Sequence, residues 1–590
     1  MSYIKKLNKK LDHAFDGQVS AREERGLLIL SGELAAWKSV VRAGAMSVNK
    51  KRYIGLVNDI RCTGEAPASP RMPSIRDETL DGAAPDVLII GGGVTGCAIA
   101  RELSRFKLDI LLIEKEHDLA MQASSRNDGV VHSGIDLRKR TQKFRYNRLG
   151  NRMFGDVCAE LDVEFDRCGQ YLCFSRGLWI PLLYLSLVYW KWLGLKGTRV
   201  IGKKRLRKEE PSVSGNIRAA LFFPETGIVS PYNLTIAYAE NAVSNGAKVS
   251  LDTAALDMEA ENGRILSVST NRGTLYPKIV VNAAGVFCEE VAGMAGDRFY
   301  SIHPRKGTNS ILDKKYNNIV VRKTVSSLGT ASTRTAHTKG GGVIHTVDGN
   351  TLVGPDALET IEKEDFSTTR QSVTETFSRQ AQTVPALAEH QIITYFSGVR
   401  ASTYEEDFVV CKGKFVENLV HAAGIQSPGL TAAPAIGVDA ARMVTELLGQ
   451  GDAGAPDPGF DPNRIAAPRT AKLDDTRRAE LIASNPDFGI IICRCEEISK
   501  GEILDALRRN IPCDTIDGVK RRVRPGMGRC QGGFCGPLVL DIIAKEKGIP
   551  HSKVSKSGGG SELVFGSTKG LTHPGAHPGA HHEGTVGEAD

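Results

Sequence analysis

The stretch "DVLIIGGGVTGCAIARELSRF", Asp86 to Phe106, decides the fold. Val87 to Ile90 are four apolar residues in a row and read as a buried strand. Gly91, Gly93 and Gly96 follow in G-x-G-x-x-G spacing at the mouth of a helix. The first glycine permits the tight turn, the second lets the backbone approach a pyrophosphate, and the third lets helix and strand pack closely. Free N–H groups at the helix start then face the anion. A second apolar strand, "LDILLIEKE", ends at Glu114, 18 residues beyond Gly96. A carboxylate there can bind ribose hydroxyls and disfavours the 2′-phosphate of NADP. These residues open a Rossmann-like α/β domain built for a dinucleotide. Spacing alone does not choose between FAD and NAD.

Outward from this turn, "SSRNDGVVHSGI" (124–135) is small and polar where an NAD enzyme would simply continue its fold. It resembles the stretch that wraps pyrophosphate and flavin in the D-amino-acid-oxidase-like family of FAD oxidoreductases. "IVVNAAGVFCEEVAGMAG", around Gly285, resembles that family's second adenosine-side strand. "IHPRKGTNSILD" resembles its strand into the substrate domain, and "HAAGIQSPGLTAAPAI" (421–436) its closing glycine turn and helix. The four motifs span roughly 86–450. The resemblance implies FAD-binding parts at about 86–150, 225–300 and 395–450. An interleaved α+β substrate domain would occupy about 151–224 and 301–394. It assigns cofactor contacts to Gly91, Gly93, Gly96, Glu114, Lys115, Ser124, Ser125, Asn127, Gly285, Gly424, Gln426, Gly429, Leu430 and Thr431.

Within that family the chain resembles most the FAD subunit of anaerobic-type glycerol-3-phosphate dehydrogenases. "GVVHSG", "TGIVSPYNLTIAYAENAV", "PRKG", "GNTLVGP" and "AAGIQSPGLTAAPAI" carry the likeness, in that order. One position departs: Asp348 in "HTVDGNTLVGP" stands where the glycerol-phosphate group tends to carry a histidine. The "DG" there is closer to L-2-hydroxyglutarate dehydrogenases. The resemblance implies oxidation of sn-glycerol 3-phosphate to dihydroxyacetone phosphate. Alternatives are a 2-hydroxyacid dehydrogenase, an amine or imino-acid dehydrogenase, and an electron-transfer subunit without its own substrate.

Flavin oxidation of an alcohol or amine sends a hydride to the ring and a proton to a base. His132 follows the pyrophosphate-wrapping stretch and is the first candidate base, with flavin contact or covalent attachment point as its other readings; His345 is a second candidate base. Arg400 in "FSGVRAS" resembles the family's arginine for the anionic end of a small substrate. Its planar fork matches carboxylate or phosphate in a way lysine cannot. Arg305 and Lys306 either assist or are merely solvated. The helix opened by "QSPGLT" would aim N–H dipoles at the reduced ring.

Far downstream, Cys493-x-Cys495 and Cys530-x4-Cys535 stand 34 residues apart. Four thiolates can hold zinc or a [2Fe–2S] cluster. The segment between them reads as one helix, a turn and the start of a second, and resembles the bacterioferritin-associated-ferredoxin-like [2Fe–2S] domain. Gly526, Gly528, Gly532 and Gly533 would leave N–H groups for sulfur. A cluster beside a flavin is an outlet for single electrons. The resemblance implies two partners, a second flavoprotein subunit plus a small cysteine-containing one. Cys513 falls between the pairs and reads as a spare core thiol, like Cys97, Cys158 and Cys288.

With 590 residues the chain should hold several domains. Residues 1–80 resemble a small BON-type α/β module, and a Pro/Ser/Gly-rich linker joins it to the FAD unit, 81–450. A second linker, 451–486, leads to the cysteine domain, 487–550, and a flexible tail, 551–590, whose histidines read as passive. The net charge of +8 is a mild excess, and no Lys/Arg block with interleaved aromatics suggests nucleic acid. Twelve cysteines without an apolar leader point to reduced thiols in the cytoplasm. The run "LWIPLLYLSLVYWKWLGL" (178–195) reads as a buried or half-buried cap helix. With the following "KKRLRKEE" it is open to a second reading, peripheral contact (178–208) with the inner face of a membrane or a partner.

Overall fold

The computed structural model describes residues 2–135, 137–177, 180–319, 324–327, 341–449, 455–511 and 513–566. A six-stranded sheet lies at its centre, in the order Lys248–Ser250, Ile110–Ile113, Val87–Ile90, Ile279–Asn282, Leu419–Ala423, Val409–Lys412. All neighbours are parallel except the last pair. The strands Val87–Ile90, Ile110–Ile113, Ile279–Asn282 and Leu419–Ala423 are buried along their length, as a sheet covered on both faces requires. One face carries the helices Val94–Leu103, Pro231–Ser244 and Gly429–Leu448, which share a core with Val87, Ile89 and Val281. The other face is closed by the meander Ala255–Glu261, Arg264–Thr270, Gly273–Leu275 through Met258, Ile265 and Val268. This is the expected dinucleotide-binding half.

The substrate half is a nine-stranded mixed sheet. Its longest ladder joins Ile302–Leu312 to Ile392–Thr403, antiparallel, with Arg305 opposite Arg400. Cross-strand register thus places both arginines beside the cofactor half.

Residues 3–62 form helix Tyr3–Phe15, strands Val19–Glu24 and Leu27–Leu34, helix Trp37–Ser47 and strand Leu56–Cys62. Helices and strands are mixed here, in keeping with an α/β module. This module shares a core with the FAD unit, where Leu27, Ile29 and Val57 meet Phe299 and, on the ladder of the substrate half, Ile302, Val399 and Ala401. Asn58 donates to the Tyr404 hydroxyl at 2.8 Å, and Arg298 pairs with Asp59 at 2.7 Å.

Two expectations need correction. Both linkers are fastened straps. In the first, the Ala68 N–H donates to Glu362 and Arg71 pairs with Glu116. In the second, Arg464 pairs with the buried Glu240 at 2.5 Å, Asn241 donates to the Asp461 and Asn463 carbonyls, and Asp475–Ser484 is helical. Residues 450–454 and the tail 567–590 with its histidines lie outside the described residues. Helix Ile180–Trp192 is half-buried, within the range expected: Leu183 is buried, Leu187 and Trp190 pack beside it, and the other side is exposed. Leu178 and Trp179 of that run lie outside the described residues.

Helices Lys500–Arg508, Ile516–Val523 and Gly536–Lys547 surround a small core of Ile503, Leu507, Val519, Val539 and Ile543. Buried ion pairs hold this terminal domain on the FAD unit. Arg521 and Arg522 grip Asp118 at 2.7–3.0 Å. Arg524 bridges Asp348 (2.6 Å) and Glu496 (3.2 Å).

Candidate cofactor cradle and cysteine centre

The turn after Val87–Ile90 is built as the spacing requires. Gly91 adopts φ +116°, and a Cβ on Gly96 would stand 1.9 Å from the Gly91 carbonyl oxygen. That contact is backbone on backbone, so only glycine lets the helix sit this close. The Gly92 N–H donates to Glu114 Oε2 at 2.6 Å, and the Glu116 N–H to Oε1 at 3.0 Å. Burial raises the Glu114 pKa to about 7 despite these bonds. Ser124 Oγ accepts from the Val94 N–H at 2.9 Å, which ties the second loop to the helix start. Asn127 braces that loop, donating to the Ala123 and Ser124 carbonyls and accepting from the Gly129 N–H.

A cavity of about 380 Å³ runs from Glu114 to Arg400. Of the residues expected at the cofactor, Gly91, Gly93, Glu114, Lys115, Ser124, Asn127, Gly285, Gln426, Gly429 and Leu430 line it, as does His132. Gly96, Ser125, Gly424 and Thr431 do not. Gly96 acts through packing, and Thr431 Oγ1 accepts from the His132 N–H at 2.9 Å, fixing the base candidate's backbone. Lys115 is committed elsewhere, donating to Glu364 at 2.6 Å.

His345 is not brought to this cavity. It lies half-buried on Gly342–His345, with Glu164 and Asp166 as its electrostatic neighbours; burial lowers its pKa. Arg305 and Lys306 are neither free nor solvated. Arg305 holds Glu359 (2.8 Å) and Glu406 (2.7 Å), and Lys306 holds Asp365 (2.5 Å).

Arg400 differs from both. Its two terminal nitrogens donate only to the Asp356 carbonyl, each at 3.3 Å, and no ion pair to it exists among the described residues. Burial lowers its pKa, yet a guanidinium remains charged. A desolvated cation with one weak acceptor is a receptor for an anion.

Several lining residues carried no readable signal. Pro70 and Met72 come from the first strap, and Thr253 to Leu256 from the loop before the meander and the start of its first strand. They reach the cavity through chain packing, and no local motif marks them.

Asp348 is the clearest reassignment. Its turn joins Gly342–His345 to Thr351–Gly354 and points at the terminal domain. There Arg524 and Arg469 donate to it at 2.6 and 3.1 Å. Asp348 is thus engaged in docking and does not line the cavity.

In the terminal domain, Cys495 Sγ lies 3.9 Å from both Cys493 Sγ and Cys530 Sγ. Two thiolates on one metal sit about 3.8 Å apart in a tetrahedral site, so these spacings suit shared ligation. A hydrogen bond from Cys535 lowers the Cys493 pKa to about 5, helped by the Gly526 and Glu496 N–H groups. The Phe534 and Gly532 N–H groups lower that of Cys530. A Cβ on Gly528 would stand 2.4 Å from Cys495 Sγ, so glycine there leaves room for the sulfur. Cys493 and Cys535 are buried; Cys495 and Cys530 face solvent. Cys513 is buried in the small core, as expected of a spare thiol.

A Rossmann-like cradle, a second domain presenting a lone arginine, and an appended thiolate centre define an oxidoreductase that binds a dinucleotide cofactor. The chain belongs to the FAD dependent oxidoreductase family, whose model matches residues 86–443, and residues 491–545 match the BFD-like [2Fe-2S] binding domain. It is a flavoprotein with an iron–sulfur domain, and the residues present fit both groups. It is 37% identical over 493 residues to a glycerol 3-phosphate dehydrogenase of Caloramator mitchellensis, covering 82% of this chain and 99% of that one. One subunit of the anaerobic glycerol-3-phosphate dehydrogenase of Escherichia coli is 24% identical over 532 residues, 79% of this chain and 89% of the relative. Among solved structures, the dithionite-reduced L-alpha-glycerophosphate oxidase of Mycoplasma pneumoniae with FAD bound superposes with TM-score 0.58 at 27% identity. That match covers 65% of this chain and 98% of the other.

Proposed function

We propose that this protein is a dehydrogenase that oxidises sn-glycerol 3-phosphate to dihydroxyacetone phosphate. The observation that carries it is Arg400, a half-buried cavity arginine without a carboxylate partner. Likeness to the Caloramator dehydrogenase over 99% of that relative's length supports the substrate. Arg400 binds the phosphate and orients the secondary alcohol. His132, held through its backbone by Thr431 and by Asn151, which donates to its carbonyl at 3.0 Å, takes the hydroxyl proton. Pro70 and Met72 help exclude water from the cavity. Bound FAD supplies the hydride acceptor, and the [2Fe–2S] centre supplies one-electron chemistry.

Cys495 and Cys530 face solvent, and Phe534 beside them is 48% exposed, which supports delivery of electrons to a partner. The Escherichia coli relative is one subunit of its enzyme, which supports a partner subunit here; the partners proposed are a second flavoprotein subunit and a small cysteine-containing one. The N-terminal module keeps its BON-type reading, supported by two helices on one small mixed sheet.

The test is anaerobic titration of the purified protein with sn-glycerol 3-phosphate, L-2-hydroxyglutarate and proline. Bleaching of flavin absorbance by the first alone is expected. Bleaching by another, or by none, would overturn the assignment.

A further inference from the structure

Helix Ile180–Trp192 has apolar residues on every side. Leu183, Leu187 and Trp190 recur at helical spacing and pack on Phe144, Leu172, Leu221 and Phe223. The other side carries Leu182, Tyr184, Leu185, Val188, Tyr189 and Trp192, each between 48 and 73% exposed. A helix without a polar face is normally buried. Here one side of it stands in water, and a contiguous patch of this kind marks a docking surface.

Charge identifies what docks. Between Ser175 and Lys208 the chain carries nine Lys/Arg and no Asp or Glu. Lys191, Lys196, Arg199, Lys204, Arg207 and Lys208 are exposed. From a neighbouring loop, Lys139 Nζ stands 3.6 Å from the centre of the Trp192 ring, with Arg138 and Arg140 exposed beside it. A second copy meeting this face would set like charges against one another, since a two-fold interface pairs a patch with itself. An anionic lipid surface complements both parts. It takes aliphatic side chains below the headgroups, aromatic rings at their level and cations above.

We propose that this helix lies in the plane of an anionic bilayer and anchors the protein there. Leu182, Leu185 and Val188 enter the acyl boundary, Tyr184, Tyr189 and Trp192 sit at the interface, and the basic ring meets lipid phosphate. The helix has 13 residues, and no helix among those described is long and apolar enough to cross a membrane. The anchor therefore rests on one leaflet. This surface is independent of the substrate assignment above.

The test is flotation of the full-length holoprotein with phosphatidylglycerol/phosphatidylcholine vesicles and with phosphatidylcholine alone. Flotation with the anionic vesicles, weakening as salt rises, and little with the neutral ones, is expected. Leu185→Glu with Val188→Glu, both at exposed positions, should abolish flotation while flavin content per chain stays unchanged. Lys204→Glu with Lys208→Glu should weaken it more than about tenfold, each surface cation contributing on the order of 1 kcal/mol. Wild-type protein that stays off anionic vesicles would overturn the proposal. So would unaltered flotation of the apolar pair variant, or a wild-type dimer that this variant splits.

Discussion

Arg400 and Arg305 face each other across one antiparallel ladder, yet their surroundings make them different groups. Arg305 is saturated by two carboxylates; Arg400 meets one carbonyl. Removing a charge-assisted fork costs on the order of 3 kcal/mol, about a hundredfold in affinity. Arg400→Ala should therefore raise KM for sn-glycerol 3-phosphate about a hundredfold while FAD content is unchanged. Arg400→Lys should recover little of the loss, because an ammonium lacks the planar fork. Steady-state kinetics and flavin absorbance check both. Glu114 gives a prediction for flavin-free protein. Its raised pKa means that the folded state favours the protonated acid. That stability is fully present below the ordinary value of about 4.3 and is lost as pH rises to about 7. Melting of the apoprotein should fall across this window and level off above it, and Glu114→Gln should flatten the slope.

At the level of the element, strand, turn and helix from Val87 to Leu103 form a unit held by backbone contact. Gly96→Ala would push a methyl group into the Gly91 carbonyl, and neither atom can rotate away. Loss of bound FAD is expected, measured as the ratio of flavin to protein absorbance. Gly155, inside helix Gln142–Glu160, is the contrasting case, with nothing within 4 Å of an added Cβ. Gly155→Ala should keep FAD and gain up to about 1 kcal/mol in stability through lower backbone entropy of the unfolded chain. Helical glycines are thus not equivalent: what lies opposite the missing side chain decides which is functional.

In the whole molecule, buried ion pairs help to fix the terminal domain, beside the apolar contact of Ile511 with the core of the FAD unit. Burial alone would raise the Asp118 pKa; Arg522 and Arg521 outweigh it and hold the carboxyl well below the usual range. Docking strength from this pair is present above the ordinary carboxylate pKa and lost as pH falls below it. Asp348→Ala leaves Arg524 with the Glu496 carboxylate and the Tyr232 hydroxyl, and breaking a buried pair costs about 3–5 kcal/mol. The variant should expose the second strap to limited proteolysis. It should also slow reduction of an external one-electron acceptor, while substrate still bleaches the flavin at the wild-type rate. Equal slowing of both would mean that Asp348 acts at the substrate after all.

The glycine turn, Glu114, the Ser124–Asn127 loop and the cysteine pairs were legible because each is a local device. Their spacing along the chain is their geometry, within 18 residues for Gly96 and Glu114. Arg400 and His132 stand in family motifs and line the cavity, whereas His345 does not, because a strand's position along the chain does not say which sheet face meets the cavity. Asp348 and Arg524 lie 176 positions apart, and neither carries a mark of the other. The straps looked like linkers because Pro, Ser and Gly report backbone freedom and not the side chains waiting to bind it. The sequence by itself determined a flavin cradle and a thiolate quartet. Only the tertiary structure sets Asp348 against Arg524, leaves Arg400 without an ion pair among the described residues, and turns one side of the apolar helix to solvent. Those outcomes depend on which distant surfaces exclude water from one another, and no local spacing encodes that.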